Sequence, residues 1–122
     1  MDIAQLHAEL ISIVSRLIYQ SQNKKLTHGR DLIDFPPDEL ILTTAYFTPT
    51  DNSSVEISTT EEIARPEFEW LAEITVKEPE NIEHYLLRPD SSIVETYGKN
   101  VFDVSLAQAK ALRTRLLGLI EH

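Results

Sequence analysis

The apolar residues of this 122-residue chain change their spacing twice, and that change constrains the fold more than any other feature. Near both ends they recur every three or four positions, and through the middle every second position. The first spacing gathers side chains on one face of a helix, the second on one face of a strand. The chain therefore reads as helix, strands, helix.

At the start, Ile3, Leu6, Leu10, Ile13, Val14, Leu17 and Ile18 form the apolar face. Asp2 and Gln5 have capping-box spacing, in which each side chain takes an N–H the helix end cannot satisfy. Gln5, His7, Glu9, Ser12, Arg16 and Gln20 are expected on the wet side. At the end, Ser105 and Gln108 repeat the capping box, Val104 is placed to staple against Ala109, and Leu106, Ala109, Leu112, Leu116 and Leu119 make the stripe. Lys110, Arg113 and Arg115 make the polar side of this helix basic.

Between the helices, Phe68, Trp70, Ala72, Ile74 and Val76 alternate with mainly polar neighbours and predict a half-buried strand with those five inward. Further strands are expected at Leu40–Phe47 (ended by Pro49), Val55–Ile57, Ile82–Arg88 and Ile93–Tyr97. Turns are expected at Asp51–Ser54, Glu78–Asn81 and Pro89–Ser92. Residues 23–39 read as a long connection. Short links between neighbouring strands favour antiparallel pairing. The expectation is a single α+β domain over residues 1–122: an antiparallel sheet of four to five strands with an N-terminal and a C-terminal helix on one face, in the order α-β-β-β-β-α.

Composition narrows the function. With no cysteine, thiol catalysis, disulfides and thiolate metal sites are excluded. The formal charge of −9 opposes nucleic-acid binding, because phosphates repel it. That charge is concentrated: residues 31–95 hold 16 acids and three bases, whereas both ends are mildly basic. No apolar run is long enough to cross a bilayer, and no basic-then-apolar leader is visible, so the expectation is a cytoplasmic protein of bacterial style. The phosphate-cradling glycine motifs, G-x-S-x-G and H-E-x-x-H are absent. The acidic row Glu67, Glu69 and Glu73 lacks the converging geometry of a cation loop. Neither a metal nor a cofactor is expected.

The turns also set which side chains share a face. With four-residue loops, Lys77 pairs with Ile82, Ile74 with Tyr85, Ala72 with Leu87, Arg88 with Ile93, Leu87 with Val94 and Tyr85 with Thr96. One face is then Trp70, Ala72, Ile74, Tyr85, Leu87 and Val94, suited to lie under the helices. The other is Leu71, Glu73, Thr75, His84, Leu86, Arg88, Ile93, Glu95 and Tyr97. A sheet face open to water is ordinarily mostly polar, so apolar residues among charges point to cover by a loop (residues 23–39 or 48–66), to an interface or to a ligand platform. Leu71, Leu86, Ile93 and Tyr97 are the expected anchors, with Glu73, His84, Arg88 and Glu95 as their polar surround.

These residues lead to a non-catalytic adaptor, regulator or inhibitor acting through its sheet face. Its partner is a second copy in a homodimer, or a basic protein. The alternative is a small-molecule binder or enzyme in which His84, with Glu73, Glu95, Arg88 and Tyr97, moves protons in a pocket between the sheet and a covering loop.

Overall fold

The computed structural model describes residues 1–28, 41–60 and 70–121. In chain order the elements are α1 (Ile3–Gln20), β1 (Lys25–His28), β2 (Ile41–Thr50), β3 (Ser53–Thr60), β4 (Ala72–Glu78), β5 (Asn81–Leu87), β6 (Ile93–Tyr97), β7 (Asn100–Asp103) and α2 (Leu106–Leu117). The strands form one antiparallel meander in which each pairs with the next. This is the expected α+β arrangement with a wider sheet. Six strands run from Ile41 to Asp103, and the short β1 adds an edge inside what reads as a connection. The additional strand at the other edge, β7, follows a turn at Gly98-Lys99, where Gly98 takes φ +61° at the first central position. That geometry matches the twist of two antiparallel strands and suits glycine.

Both helices begin with the capping boxes their sequences encode. Gln5 N–H donates to Asp2 Oδ1 and Asp2 N–H to Gln5 Oε1, each at 2.8 Å. Ser105 and Gln108 exchange the same two bonds at α2. Leu6, Leu10, Val14 and Leu17 of α1 are fully buried, and Ala109, Leu112 and Leu116 of α2 join them over Val55, Ile57, Ala72, Ile74, Val76, Tyr85, Leu87 and Ile93 of the sheet. Val104 is buried just ahead of α2, and Ile120 seals the far end. Leu106, expected in the stripe, is 39% exposed.

His7 departs from the expectation of a solvated side chain. It is buried among the helix residues, and its Nε2–H donates to the carbonyl of Arg88 at 2.7 Å. It ties α1 to the loop between β5 and β6. Gln20 is also not simply wet: its amide donates to the Leu119 carbonyl and accepts from Glu121 N–H, joining the two helix ends.

The hairpin β4–β5 has the expected register, Lys77 with Ile82, Ile74 with Tyr85 and Ala72 with Leu87, but closes over Pro79-Glu80 alone. The hairpin β5–β6 is slipped by one residue. Leu87 pairs with Ile93, Leu86 with Val94 and Tyr85 with Glu95. The cause lies in the loop. Arg88 N–H donates to the Ser92 carbonyl at 3.0 Å, leaving Pro89, Asp90 and Ser91 as a three-residue loop rather than a four-residue one. Ser91 N–H returns to the Arg88 carbonyl, and Ser91 adopts φ 69°. A turn followed by one left-handed residue is the usual three-residue hairpin solution. Asp90 fixes it by accepting from both Ser92 N–H and Ser92 Oγ, bonds that hold its carboxyl below the usual aspartate range. Because serine carries a Cβ where glycine is preferred, Ser91→Gly is expected to raise stability by about 0.5–1 kcal/mol, read from urea unfolding.

Three smaller expectations also change. β2 continues through Pro49 to Thr50, with a register shift between Phe47 and Thr50 that accommodates the missing N–H. The turn between β2 and β3 is Asp51-Asn52 alone, and β3 runs to Thr60. Trp70 precedes β4 and is half-buried instead of lying in the core. Phe68, Glu67 and Glu69 lie outside the described residues. No described helix is long and apolar enough to cross a membrane.

Tyr85 is 4% exposed beneath the helices. Burial, and next the Glu83 carboxylate, push its hydroxyl well above the ordinary tyrosine value of 10.0. Below pH 10 the phenol is neutral in both states and this contribution is intact. Above it the unfolded chain ionises first, so stability falls as pH rises. Tyr85→Phe is expected to move the midpoint of alkaline unfolding upward, measured by circular dichroism against pH.

Candidate functional site

The side chains that bear chemistry gather on the sheet face away from α1 and α2. In antiparallel strands, directly paired residues point the same way and successive residues alternate. Ile74, Tyr85 and Leu87 lie under the helices, so Glu73, Thr75, His84 and Leu86 face outward. The slipped register adds Val94, opposite Leu86, and Thr96 two residues on.

Three of these residues form a connected string across β4, β5 and β6. His84 Nε2 meets Glu73 Oε1 at 2.5 Å, with the two side chains 30% and 35% exposed. On its other side, His84 Nδ1 is hydrogen-bonded to Thr96 Oγ1. The carboxylate only accepts, so Nε2–H donates to Glu73, and Nδ1 shares the second bond with the Thr96 hydroxyl. Cross-strand geometry explains the meeting. Glu73 is the diagonal neighbour of His84, within reach of long side chains, and Thr96 is its neighbour on the other side.

Around the string the face is mixed. Leu86 is half-buried and Val94 is only 1% exposed, although Val94 is not part of the core under the helices. Thr75 and Glu56 are half-buried beside them, and Tyr46 is 42% exposed further along. Thr44 Oγ1 and Ser58 Oγ bond to each other at 3.0 Å on the same face of β2 and β3. Leu71 is half-buried at the bend before β4, its N–H donating to the Leu87 carbonyl at 2.6 Å.

The slip removes other expected members. Ile93 points into the helix-side core and is 1% exposed. Glu95 and Tyr97 turn to the helix side with it. Glu95 accepts weakly from Gln108 Nε2 at 3.5 Å, and Tyr97 is 75% exposed at the turn. Arg88 lies in the β5–β6 loop, its carbonyl held by His7. None of Glu95, Tyr97 or Ile93 shares the outward face with His84. The residues overlooked from the sequence are Val94 and Thr96, both assigned to the wrong side of β6. Pro89-Asp90-Ser91, a turn pair followed by a residue able to take the left-handed conformation, was the signal that would have placed them.

A carboxylate, an imidazole and a hydroxyl in line are the elements that activate an oxygen nucleophile. Acyl transfer also needs donors aimed at a developing oxyanion and a concave wall. A cleft of about 450 Å³ lies elsewhere, between the β2–β3 and β4–β5 turns and the end of α2, lined in part by Thr50, Ser53, Pro79 and Leu119. Its charged wall is the pair Arg115–Glu78, 2.7 Å apart. Among the described residues, no group of three or more His, Asp or Glu side chains is arranged to hold a metal.

Comparison with protein-family models, with curated proteins and with solved structures returns no match to this chain.

Proposed function

We propose that the chain is a small, acidic, non-catalytic adaptor, regulator or inhibitor of the cytoplasm that binds a protein partner through the outward sheet face. The observation that carries this reading is the half-buried Leu86 lying beside the Glu73–His84–Thr96 string on the face away from both helices. A partly exposed apolar residue flanked by oriented hydrogen-bonding groups suits a protein interface. The string holds His84 in one orientation, which lowers the entropic cost of docking against it. The net charge of −9 favours a basic partner, whose approach it would accelerate.

The test is site-specific photocrosslinking in cells. A crosslinker at Thr75, on the face, is expected to capture one protein that a crosslinker at Lys110, exposed on α2, does not. The same protein captured equally from both positions contradicts the reading.

The hydrogen-bonded string itself favours a second reading, a small-molecule binder or enzyme with His84 as acid or base. That reading requires hydrolysis of a small ester, or binding of a ligand, that His84→Ala and Thr96→Val each abolish without loss of fold.

A further inference from the structure

We infer that the chain pairs with a second copy of itself through the outer edge of β7, the terminal strand among the described residues. Self-association then belongs to the sheet edge, leaving the outward face for a different protein.

β7 is the terminal strand of the sheet, and among the described residues β6 alone is bonded to it. All four of its residues are exposed, with Val101 at 56% and Phe102 at 54%. Solvent-facing edges are usually blunted by shortness, proline, a bulge, a charge or a covering loop, because unpaired N–H and C=O groups recruit another strand; β7 is four residues long and carries its charge at its end, on Asp103. The run Asn100-Val101-Phe102-Asp103 has two apolar residues at its centre and no proline.

The hydrogen-bond phase fixes which groups are free. Val104 N–H donates to the Ile93 carbonyl at 3.1 Å, so that pair is bonded, and bonded pairs alternate along an antiparallel ladder. Asn100 and Phe102 therefore point their backbone groups toward β6. Val101 and Asp103 point theirs away, toward the open edge.

A two-fold axis through Val101, perpendicular to the sheet, uses those groups. Val101 of each copy donates to and accepts from Val101 of the other. Lys99, in the turn just ahead of β7, then comes within side-chain reach of Asp103 of the second copy, and Asp103 of its Lys99, so one symmetric contact forms two opposite-charge pairs. Residues of like parity face each other, which keeps both helix layers on one side of a continuous sheet. Phe102 and Leu106, both exposed on or beside the helix side of β7, come next to the joint. Centring the axis on Phe102 instead sets Asp103 against Val101 and leaves Lys99 without an acid. The charges select the first register, and they select a second copy over an unrelated strand.

Sedimentation from micromolar to millimolar concentration tests this. The wild-type chain is expected to dimerise. Val101→Pro is expected to be monomeric with an unchanged circular-dichroism spectrum, because the N–H it removes is not used by β6. Lys99→Asp is expected to weaken the dimer about tenfold, and Lys99→Asp combined with Asp103→Lys to restore it. If Val101→Pro fails to fold, the charge-reversal pair decides alone. A chain that stays monomeric throughout overturns the inference. So does a dimer that these substitutions leave intact. Leu86→Lys leaves this dimer unchanged, so the edge and the outward face fail or stand separately.

Discussion

Ile93→Lys is expected to abolish cooperative folding, whereas Leu86→Lys is expected to leave a folded chain. Ile93 is 1% exposed and packs under the helices between Leu87 and the start of α2. Replacing it forfeits about 2–3 kcal/mol of apolar burial and forces an ammonium into the apolar core beneath the helices. The combined loss, of order 5 kcal/mol or more, is as large as the whole stability of many domains this size. Leu86 is one residue away from Leu87 but on the outward face and half-buried, so lysine there can carry its charge to water and costs about 1 kcal/mol. Urea unfolding followed by circular dichroism separates the two. A folded Ile93→Lys would mean that β6 pairs one residue out of the register described, and an unfolded Leu86→Lys that the outward face is part of the core.

Leu10→Ala is expected to lower stability by about 3 kcal/mol and the melting temperature by roughly 10 °C. Leu10 is fully buried at the centre of α1. The sheet beneath it is held by its ladder, and helix α2 by its own contacts, so neighbouring groups cannot move in to fill the space left. Calorimetry gives the number directly. A loss below about 1 kcal/mol would mean that α1 rests loosely on the sheet.

Much of the fold could be read from spacing alone. Both capping boxes, the α1 face and the register of β4 with β5 follow from local residues, because helix periodicity and turn chemistry act over a few positions. Three features could not be read so simply, each for a physical reason. His7 looked wet because imidazole is polar, yet a carbonyl from a loop distant in sequence satisfies its ring. β1 is short, and its strand character comes from pairing with β2 more than from its own pattern. The β5–β6 slip came from one loop residue: Ser91 can occupy the left-handed region, so the loop closed over three residues instead of four. Since strand side chains alternate, that single step exchanged the faces of Ile93, Val94, Glu95, Thr96 and Tyr97 together. Within the candidate site, Glu73, His84 and Leu86 sit on strands whose facing was legible. Thr96 and Val94 sit on the one strand whose facing was not.

The most direct measurement is a calorimetric titration of the protein captured from Thr75 against the wild-type chain and against Leu86→Lys. Loss of at least tenfold in affinity is predicted, with thermal unfolding shifted by no more than a few degrees. Equal affinity for the two chains would show that partners dock somewhere other than the outward sheet face.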